Sequence, residues 1–424
     1  MRKGDVILIA SVWETLYRSL QKPQLDPVIT GFNANIDRII PVTPDILRSF
    51  EHLAVQGFGA IPDRLKQSMR YCSADEVFIS EPSVYLKLSE SFSRSGTLSV
   101  GGQAGIAAVH LCRLGIPSVT CAVPGAGPET CAMLQNAGII PQTFEPGAND
   151  RPDIIHLIFE YSPGLVPLAD YVVPRNNRFI VSPVHDPSTV IIPDASMDSF
   201  LEQIRSCRRA FLSGYQYLRT EQEFVTAARQ IRMIRSVHPL MRTHVECVSG
   251  ADRHVMTMML RHIIPNTDSI GLNERELGLF IQVLRATDPA STTILPSSPV
   301  ACVHDAIALA DATGVPRIHL HTFGYYILIL KSGTKKPELS RDALLLAARV
   351  TADTAGLGDQ ILSREGLLAY AAVREVFGPD ETPGVFRVDE RVVVLVPTYI
   401  SQNINKTTGF GDILSSTAFV ADRF

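Results

Sequence analysis

The longest unbroken apolar run of β-branched character, VVVLV at 392–396, reads as a buried strand. A polar loop follows, then Thr407-Thr408-Gly409-Phe410-Gly411-Asp412, then small and apolar residues at 413–420 that read as a helix. The order is strand, glycine turn, helix. Upstream, 5–24 reads as an amphipathic helix and DPVITGFNANID at 26–37 as a strand that breaks at Gly31. Residues 42–99 mix charged helical stretches (PDILRSFEHL, PDRLKQSMRY) with a strand at 76–80. SVGGQAG at 99–105 is a second glycine turn opening a helix, and 119–123 before Gly125-Ala126-Gly127 a further strand and turn, read as scaffold. IIHLIFE at 154–160 alternates like a strand. A proline-rich loop then leads to PRNNRFI at 174–180, a polar turn before a strand.

The second half alternates more regularly. Strands are expected at 210–212, 243–247, 269–272, 317–321 and 326–330, and helices at 220–235, 251–263 and 302–313. Such alternation predicts an α/β fold with a mainly parallel sheet and right-handed crossovers. Ligands of such sheets bind beyond the C-terminal strand ends. Glu246, Asn273, Glu276, His321 and Asp412 all lie at or just after predicted strand ends, which gathers them into one expected site. The segment 292–299 (TTILPSSP) reads as a linker, and no repeat or low-complexity stretch occurs.

Composition changes little in this picture. The 424 residues are 46% hydrophobic and 19% charged, an ordinary globular profile with room for a large domain and a smaller one. A net charge of −4 favours neither a nucleic-acid nor a membrane partner. The seven cysteines are scattered without CxxC spacing, so neither a zinc site nor a disulfide framework is expected, which fits the cytoplasm. The N-terminal apolar run is interrupted by Glu14 and Arg18, and no stretch approaches the length of a membrane span.

The candidate chemistry centres on the last glycine turn. Gly409 and Gly411 allow a tight turn with exposed N–H groups at a helix start, a natural anion site. Asp412 at its mouth could take a proton from an attacking hydroxyl; the alternative is a simple helix cap. The same GxGD pattern recurs at 356–359, where no strand precedes it, and there it reads as a helix end near Gly356 or Gly358. Asn33, Asn35 and Asp37 suit either sugar hydroxyls or turns. Arg175 and Arg178 read as a phosphate clamp or a solvated turn. Glu246 and Glu276 suit a hard cation such as Mg2+, with Asn273 three residues before Glu276 on one helix face. Asn273 could equally be an N-cap. A metal site built on His244, His319 and His321 is not expected, for want of a third supporting ligand.

Taken together these motifs resemble the ADP-dependent sugar kinases of the ribokinase-like superfamily, the archaeal-type ADP-dependent phosphofructokinases and glucokinases. The likeness is carried by GFNANID (31–37), GGQAGI (101–106), NRFI (177–180), His244-Val245-Glu246, NERE (273–276), HLHTFGYY (319–326) and TGFGD (408–412), in the family's order across nearly the whole chain. It implies a Rossmann-like large domain (1–37, 100–150 and 190–424) and a small α/β lid (about 38–99 and 151–189). It further implies ADP as phosphoryl donor with AMP released, and Mg2+ organised by Glu246, Asn273 and Glu276. Asp412 would be the base, with Gly409, Gly411 and Arg178 stabilising charge. Asn35, Asp37, Gly102, Gln103 and Arg175 would meet the sugar. His321, Thr322, Tyr325 and Thr408 would shape the nucleotide pocket. The expected acceptor is fructose 6-phosphate, ahead of glucose or both. Two departures bear on it: the family's phosphofructokinases use a lysine near the segment matching 161–164, here YSPG, and the glutamate glucokinases use for glucose has no clear counterpart before Gly101. An ATP-dependent relative and a non-catalytic binder are the rival readings. A cytoplasmic monomer or small homo-oligomer is expected.

Overall fold

The structure is a computed structural model and describes residues 3–21, 23–53, 58–72, 75–144, 151–164, 172–174, 176–248, 252–285, 295–356, 360–401 and 409–424. In chain order, helix α1 (Lys3–Ser19) precedes strands β1 (Val28–Gly31) and β2 (Asn35–Pro41). Helices α2 (Pro44–Leu53) and α3 (Ala60–Tyr71), strand β3 (Asp75–Ile79), helix α4 (Pro82–Ser91) and strand β4 (Thr97–Gly101) follow. Next come α5 (Gln103–Leu114), β5 (Val119–Ala122), α6 (Pro128–Asn136), β6 (Ile140–Gln142), β7 (Ile155–Tyr161) and β8 (Asn177–Pro183). Then α7 (Asp194–Gln203), β9 (Arg209–Leu212), α8 (Glu221–Ser236), β10 (Arg242–Glu246), α9 (Arg253–Met258), β11 (Ser269–Asn273), α10 (Glu274–Leu284) and α11 (Pro299–Thr313). The remainder is β12 (Arg317–His321), β13 (Tyr325–Lys331), α12 (Pro337–Ala355), β14 (Gln360–Leu362), α13 (Arg364–Phe377), β15 (Val385–Val388), β16 (Arg391–Pro397), β17 (Tyr399–Ser401) and α14 (Phe410–Ala421).

Two sheets organise these elements. The larger has the order β15-β16-β13-β12-β11-β10-β9-β1-β5-β6, and every neighbouring pair from β12 to β6 is parallel. Its inner strands are buried almost throughout; in β16, Val392, Val393, Val394, Leu395 and Val396 are fully buried. This is the α/β architecture with a mainly parallel sheet expected from the alternation. Strand β13 departs from the parallel expectation and runs antiparallel to β12. Only residues 322–324 join the two, and a parallel crossover needs a dozen or more. Helix α1 stops at Ser19, short of the expected 24, ahead of Pro23, which disfavours helical backbone before it.

The second sheet has the order β3-β8-β7-β2-β4. The side chains of Phe50 (α2), Leu65 (α3) and Leu88 (α4) pack with Phe159, Phe179 and Val181 on one of its faces. Phe50, Phe92 and Phe159 form an aromatic triad there, with centroids 4.7 to 5.2 Å apart. Side chains alternate along strands, so the pairing register puts Asp37, His156, Ile158, Glu160, Arg178, Ile180 and Glu76 on the other face.

Two expectations change at this level. Arg178 is not in a polar turn: Asn177 and Arg178 pair with Tyr161 and Glu160, so the β7–β8 ladder already includes them. The segment 292–299 does not link domains. Ser298 caps α11 by accepting from the Ala301 N–H at 3.1 Å, and α10 and α11 pack side by side beneath one sheet. Residues 292–294 lie outside the described residues. Helix α12 ends at Ala355, with Gly356 at its cap as expected, though in extended rather than left-handed backbone; 357–359 are not described.

Candidate active site

Helix α14 carries the expected base. Gly409 is its N-cap in the left-handed region (φ 81°), where glycine alone avoids a steric cost, and no side chain among the described residues caps the helix. A side chain at Gly409 would press on Ile106 Cγ2 of α5 at 3.0 Å, so the two helix starts abut. Gly411 faces the Nε2 of His321, 3.4 Å from where a Cβ would stand. Asp412 occupies the first turn, where a carboxylate is favoured by the helix dipole. Thr408 lies outside the described residues.

Glu246 ends β10 beneath this helix. Its Oε2 accepts from Ser415 Oγ at 2.5 Å and lies 3.0 Å from His244 Nε2. Burial raises its pKa well above the usual carboxylate range, and the neighbouring charges of Asp412 and Glu276 push the same way; the Ser415 hydroxyl and Arg317 oppose them. A Cβ on Gly271 of the adjacent strand would sit 2.0 Å from Glu246 Oε2 and 2.5 Å from Ser415 Oγ. The bare glycine makes room for this contact.

Asn273 and Glu276 form a capping box. Asn273 Oδ1 accepts from the N–H groups of Arg275 (2.9 Å) and Glu276 (3.0 Å), and Glu276 Oε2 accepts from the Asn273 N–H at 2.8 Å. Glu276 Oε1 also accepts from Asn273 Nδ2 at 2.9 Å. The cap is what the geometry shows: Asn273 is an N-cap, and the buried Glu276 it holds lies near enough to Glu246 for their charges to interact. Among the described residues, no three His, Cys, Asp or Glu side chains are close enough to hold an ion directly. Yet Asp412 and Glu276 both act on Glu246 as like charges. That donor set fits a hard cation held through its own water shell, as Mg2+ is, rather than a dehydrated one.

The inner face of the second sheet closes the site from above. Burial lowers the Arg178 pKa, while Asp412, Glu160, Glu76 and Asp37, in that order, oppose the shift. A guanidinium from one sheet thus shares a field with the helix carboxylate of the other. Glu76 accepts from Ser182 Oγ at 2.8 Å; burial raises its pKa, and Ser182 and Arg178 counter. Glu76 and Glu160 escaped the sequence reading because a lone acid in an alternating strand looks like a solvated position; the one signal was the alternation itself. Arg175 is not described.

Where the chain crosses between sheets, polar acceptors gather. Asn35 Nδ2 donates to Asp37 Oδ1 at 2.8 Å, and Asp37 lies against Gly101, whose missing Cβ would stand 1.9 Å from its Oδ1. Gly102 has φ 71° and brings its backbone against the Asn33 carbonyl and Asn35 Oδ1. Gln103 Nε2 donates to the Cys247 carbonyl at 3.3 Å. The buried acceptors Asn33 Oδ1, Asn35 Oδ1 and Gln103 Oε1 find no donor among the described residues. Buried acceptors without partners are costly, and hydroxyl groups would satisfy them.

The expected nucleotide residues separate. Thr322 closes the β12–β13 turn, donating to the Tyr325 carbonyl at 2.6 Å and accepting its N–H at 3.1 Å, so its hydroxyl is committed. His321 pairs with Tyr326, which leaves His321 facing α14 and Tyr325 facing the opposite side of the sheet. Tyr325 there lines a 740 Å3 cavity with Glu274, Pro299, Cys302, Arg364 and Leu368. This cavity sits beside Asn273 at the same C-terminal edge.

A parallel sheet whose strand ends carry a glycine-capped helix and clustered carboxylates, covered by a second sheet with an inward arginine, defines a phosphotransferase for small alcohols. The chain belongs to the ADP-specific phosphofructokinase/glucokinase family, whose conserved-region model matches residues 26–421. It is similar to the ADP-dependent glucose/glucosamine kinase of Pyrococcus furiosus, 29% identical over 97% of this chain and 98% of that one. It is also similar to the ADP-specific phosphofructokinase of Methanosarcina acetivorans, 27% identical over 94% of this chain and 93% of that one. The fold is shared with a solved ADP-dependent kinase in complex with fructose-6-phosphate and ADPβS, TM-score 0.79, 24% identical, covering 99% and 98% of the two chains. No helix among the described residues is long and apolar enough to cross a membrane.

Proposed function

We propose that this ADP-dependent phosphotransferase acts on a neutral hexose of the glucose type. The observation that carries the reading is the environment of Arg178. On the sheet that would cover the sugar it shares its face with Asp37, Glu76 and Glu160, so with Arg178 serving the transferring phosphoryl group the described charge there does not favour a second phosphate, on the sugar. The unpaired acceptors of Asn33, Asn35 and Gln103 suit the hydroxyls of an uncharged sugar. The glucose/glucosamine kinase relatives at 29% and 30% identity support the same acceptor. Fructose 6-phosphate, the acceptor the sequence suggested, is the second reading, favoured by the phosphofructokinase relatives.

In this reading the sugar hydroxyl loses its proton to Asp412 as its oxygen attacks the β-phosphorus of ADP. The bond to the bridging oxygen breaks and AMP departs. The N–H groups at the start of α14 and the Arg178 guanidinium receive the charge that develops on the phosphoryl oxygens. Mg2+, held through water by Glu246, Glu276 and Asn273, would neutralise the diphosphate. The cavity at Tyr325 would take the adenosine end. The second sheet, with segments near 38–99 and 151–189, acts as a lid that excludes water. The test is phosphorylation by purified protein with Mg2+, crossing ADP and ATP against glucose, glucosamine and fructose 6-phosphate and following AMP. AMP release with the hexoses is expected; turnover confined to fructose 6-phosphate overturns the neutral-hexose reading, and turnover with ATP alone overturns the donor.

A further inference from the structure

Behind Glu246 runs a line of fully buried polar groups that neither the proposed chemistry nor the fold requires. Arg317 is fully buried, and its Nη1 donates to Ser269 Oγ at 2.8 Å. Ser269 Oγ lies 2.8 Å from His244 Nδ1, and His244 Nε2 lies 3.0 Å from Glu246 Oε2. The direction of these bonds follows from what each group can do. A guanidinium has donors only, so Ser269 Oγ accepts from Arg317. The relay takes the single hydroxyl proton of Ser269 as directed to His244 Nδ1. An imidazole that accepts at Nδ1 carries its proton on Nε2 and donates it onward, here to Glu246.

The two ends of the line are fixed. Asp422 Oδ2 accepts from Arg317 Nε at 2.9 Å, and Ser340 holds the other oxygen of that carboxylate at 2.7 Å. The plane of the imidazole is set by Phe211 (centroids 5.1 Å apart, 18° between planes) and Phe419 (4.9 Å, 32°). Both donors to Glu246, His244 Nε2 and Ser415 Oγ, fall on Oε2.

We propose that Arg317, Ser269 and His244 form a directional relay that fixes the His244 tautomer and thereby aims Glu246, with Ser269 as its positioning residue. Partners of this kind behind a metal-organising group fix its orientation and typically set affinity by 10- to 100-fold. The inference rests on the reading of Glu246 as a group that organises the cation. It goes beyond it by assigning a role to residues that touch neither sugar, nucleotide nor ion.

The relay is tested on the intact chain labelled with 15N-histidine, with the His244 signal identified by its loss in His244→Gln. The wild-type ring is expected as the Nε2–H tautomer; an Nδ1–H ring in the wild type overturns the relay whatever any variant does. Ser269→Ala removes the link and Ser269→Thr keeps it. Mn2+ binding, followed by the relaxation of water protons with and without ADP, is expected to weaken about 10- to 100-fold in Ser269→Ala and to return in Ser269→Thr. Ser269→Ala is also expected to lose the pure Nε2–H signature. Wild-type Mn2+ affinity in Ser269→Ala overturns the positioning role. A wild-type protein that binds no Mn2+ under either condition overturns the cation reading itself. Neither readout uses turnover, so a failure of the hexose assignment leaves them intact.

Discussion

In the large sheet both faces are covered and the reactive side chains stand at the strand ends: Glu246 ends β10, Asn273 ends β11 and His321 ends β12. In the small sheet one face is covered and the reactive side chains stand on the other: Asp37, Glu76, His156, Glu160 and Arg178. The first arrangement places few groups with high precision, because each is anchored by a packed strand. The second spreads charge over an area, as a surface that comes down on a ligand must. A residue's neighbour in sequence is therefore a poor guide in the small sheet, where Phe159 belongs to the core and Glu160 to the site.

The comparison can be broken in graded steps. At the edge of the large sheet, Asp412→Ala should lower kcat by about 10²–10⁴-fold with ADP binding retained by calorimetry; near-normal turnover would remove Asp412 from the chemistry. On the small sheet, Arg178→Met should cost about 10²–10³-fold in kcat, and an effect confined to KM would make it a binding group only. Glu76→Ala should raise the hexose KM about tenfold, the cost of about 1.4 kcal/mol of lost hydrogen bonding, and leave the ADP KM unchanged. One residue from the opposite face, Phe159→Ala, should instead lower stability by about 3–5 kcal/mol in urea unfolding; a variant as stable as the wild type would contradict the two-faced description.

The gentlest probe is pH. Where the chain leaves the small sheet, His156 and His185 meet Nε2 to Nε2 at 2.9 Å, and His185 stacks on Tyr217 at 3.9 Å. Burial pushes His156 down to about 3 and His185 to about 4. The unfolded chain takes up protons near the ordinary histidine value of about 6.5, while the folded one stays neutral until far lower. The unfolded state therefore binds more protons across that window, and stability falls as pH drops below about 6.5. His110, held near 4 by burial, contributes in the same sense. A urea midpoint that does not decline between pH 6.5 and 5 would contradict the neutral pair.

How much of this was legible in the sequence follows from the same contrast. The strand ends of the large sheet announce themselves through the alternation of strand and helix, which put Glu246 and Asn273 at strand ends, and Asp412 stood out through the glycine turn that opens α14. The lone acids of the small sheet did not stand out, since Glu76 in DEVFI and Glu160 in IFEY look like solvated positions until pairing shows which face they share. Thr322 and Tyr325 were legible as a motif, but their separation was not. The three-residue turn that commits the Thr322 hydroxyl and turns Tyr325 to the far face depends on geometry that spacing does not express. Ser269, Arg317 and Ser415 carried no signal, since their partners lie far away along the chain.

Gly271 is where the construction leaves no slack. Side chains around an active site usually tolerate exchange in both directions, losing atoms at some cost and gaining them by small shifts. Here the absent side chain is itself the design, because Glu246, Ser415 and His244 already occupy the space that one methyl would need. Drift at this position has nowhere to go: the smallest step available to a glycine would displace the carboxylate, the hydroxyl and the imidazole together, and no larger residue offers a way around it.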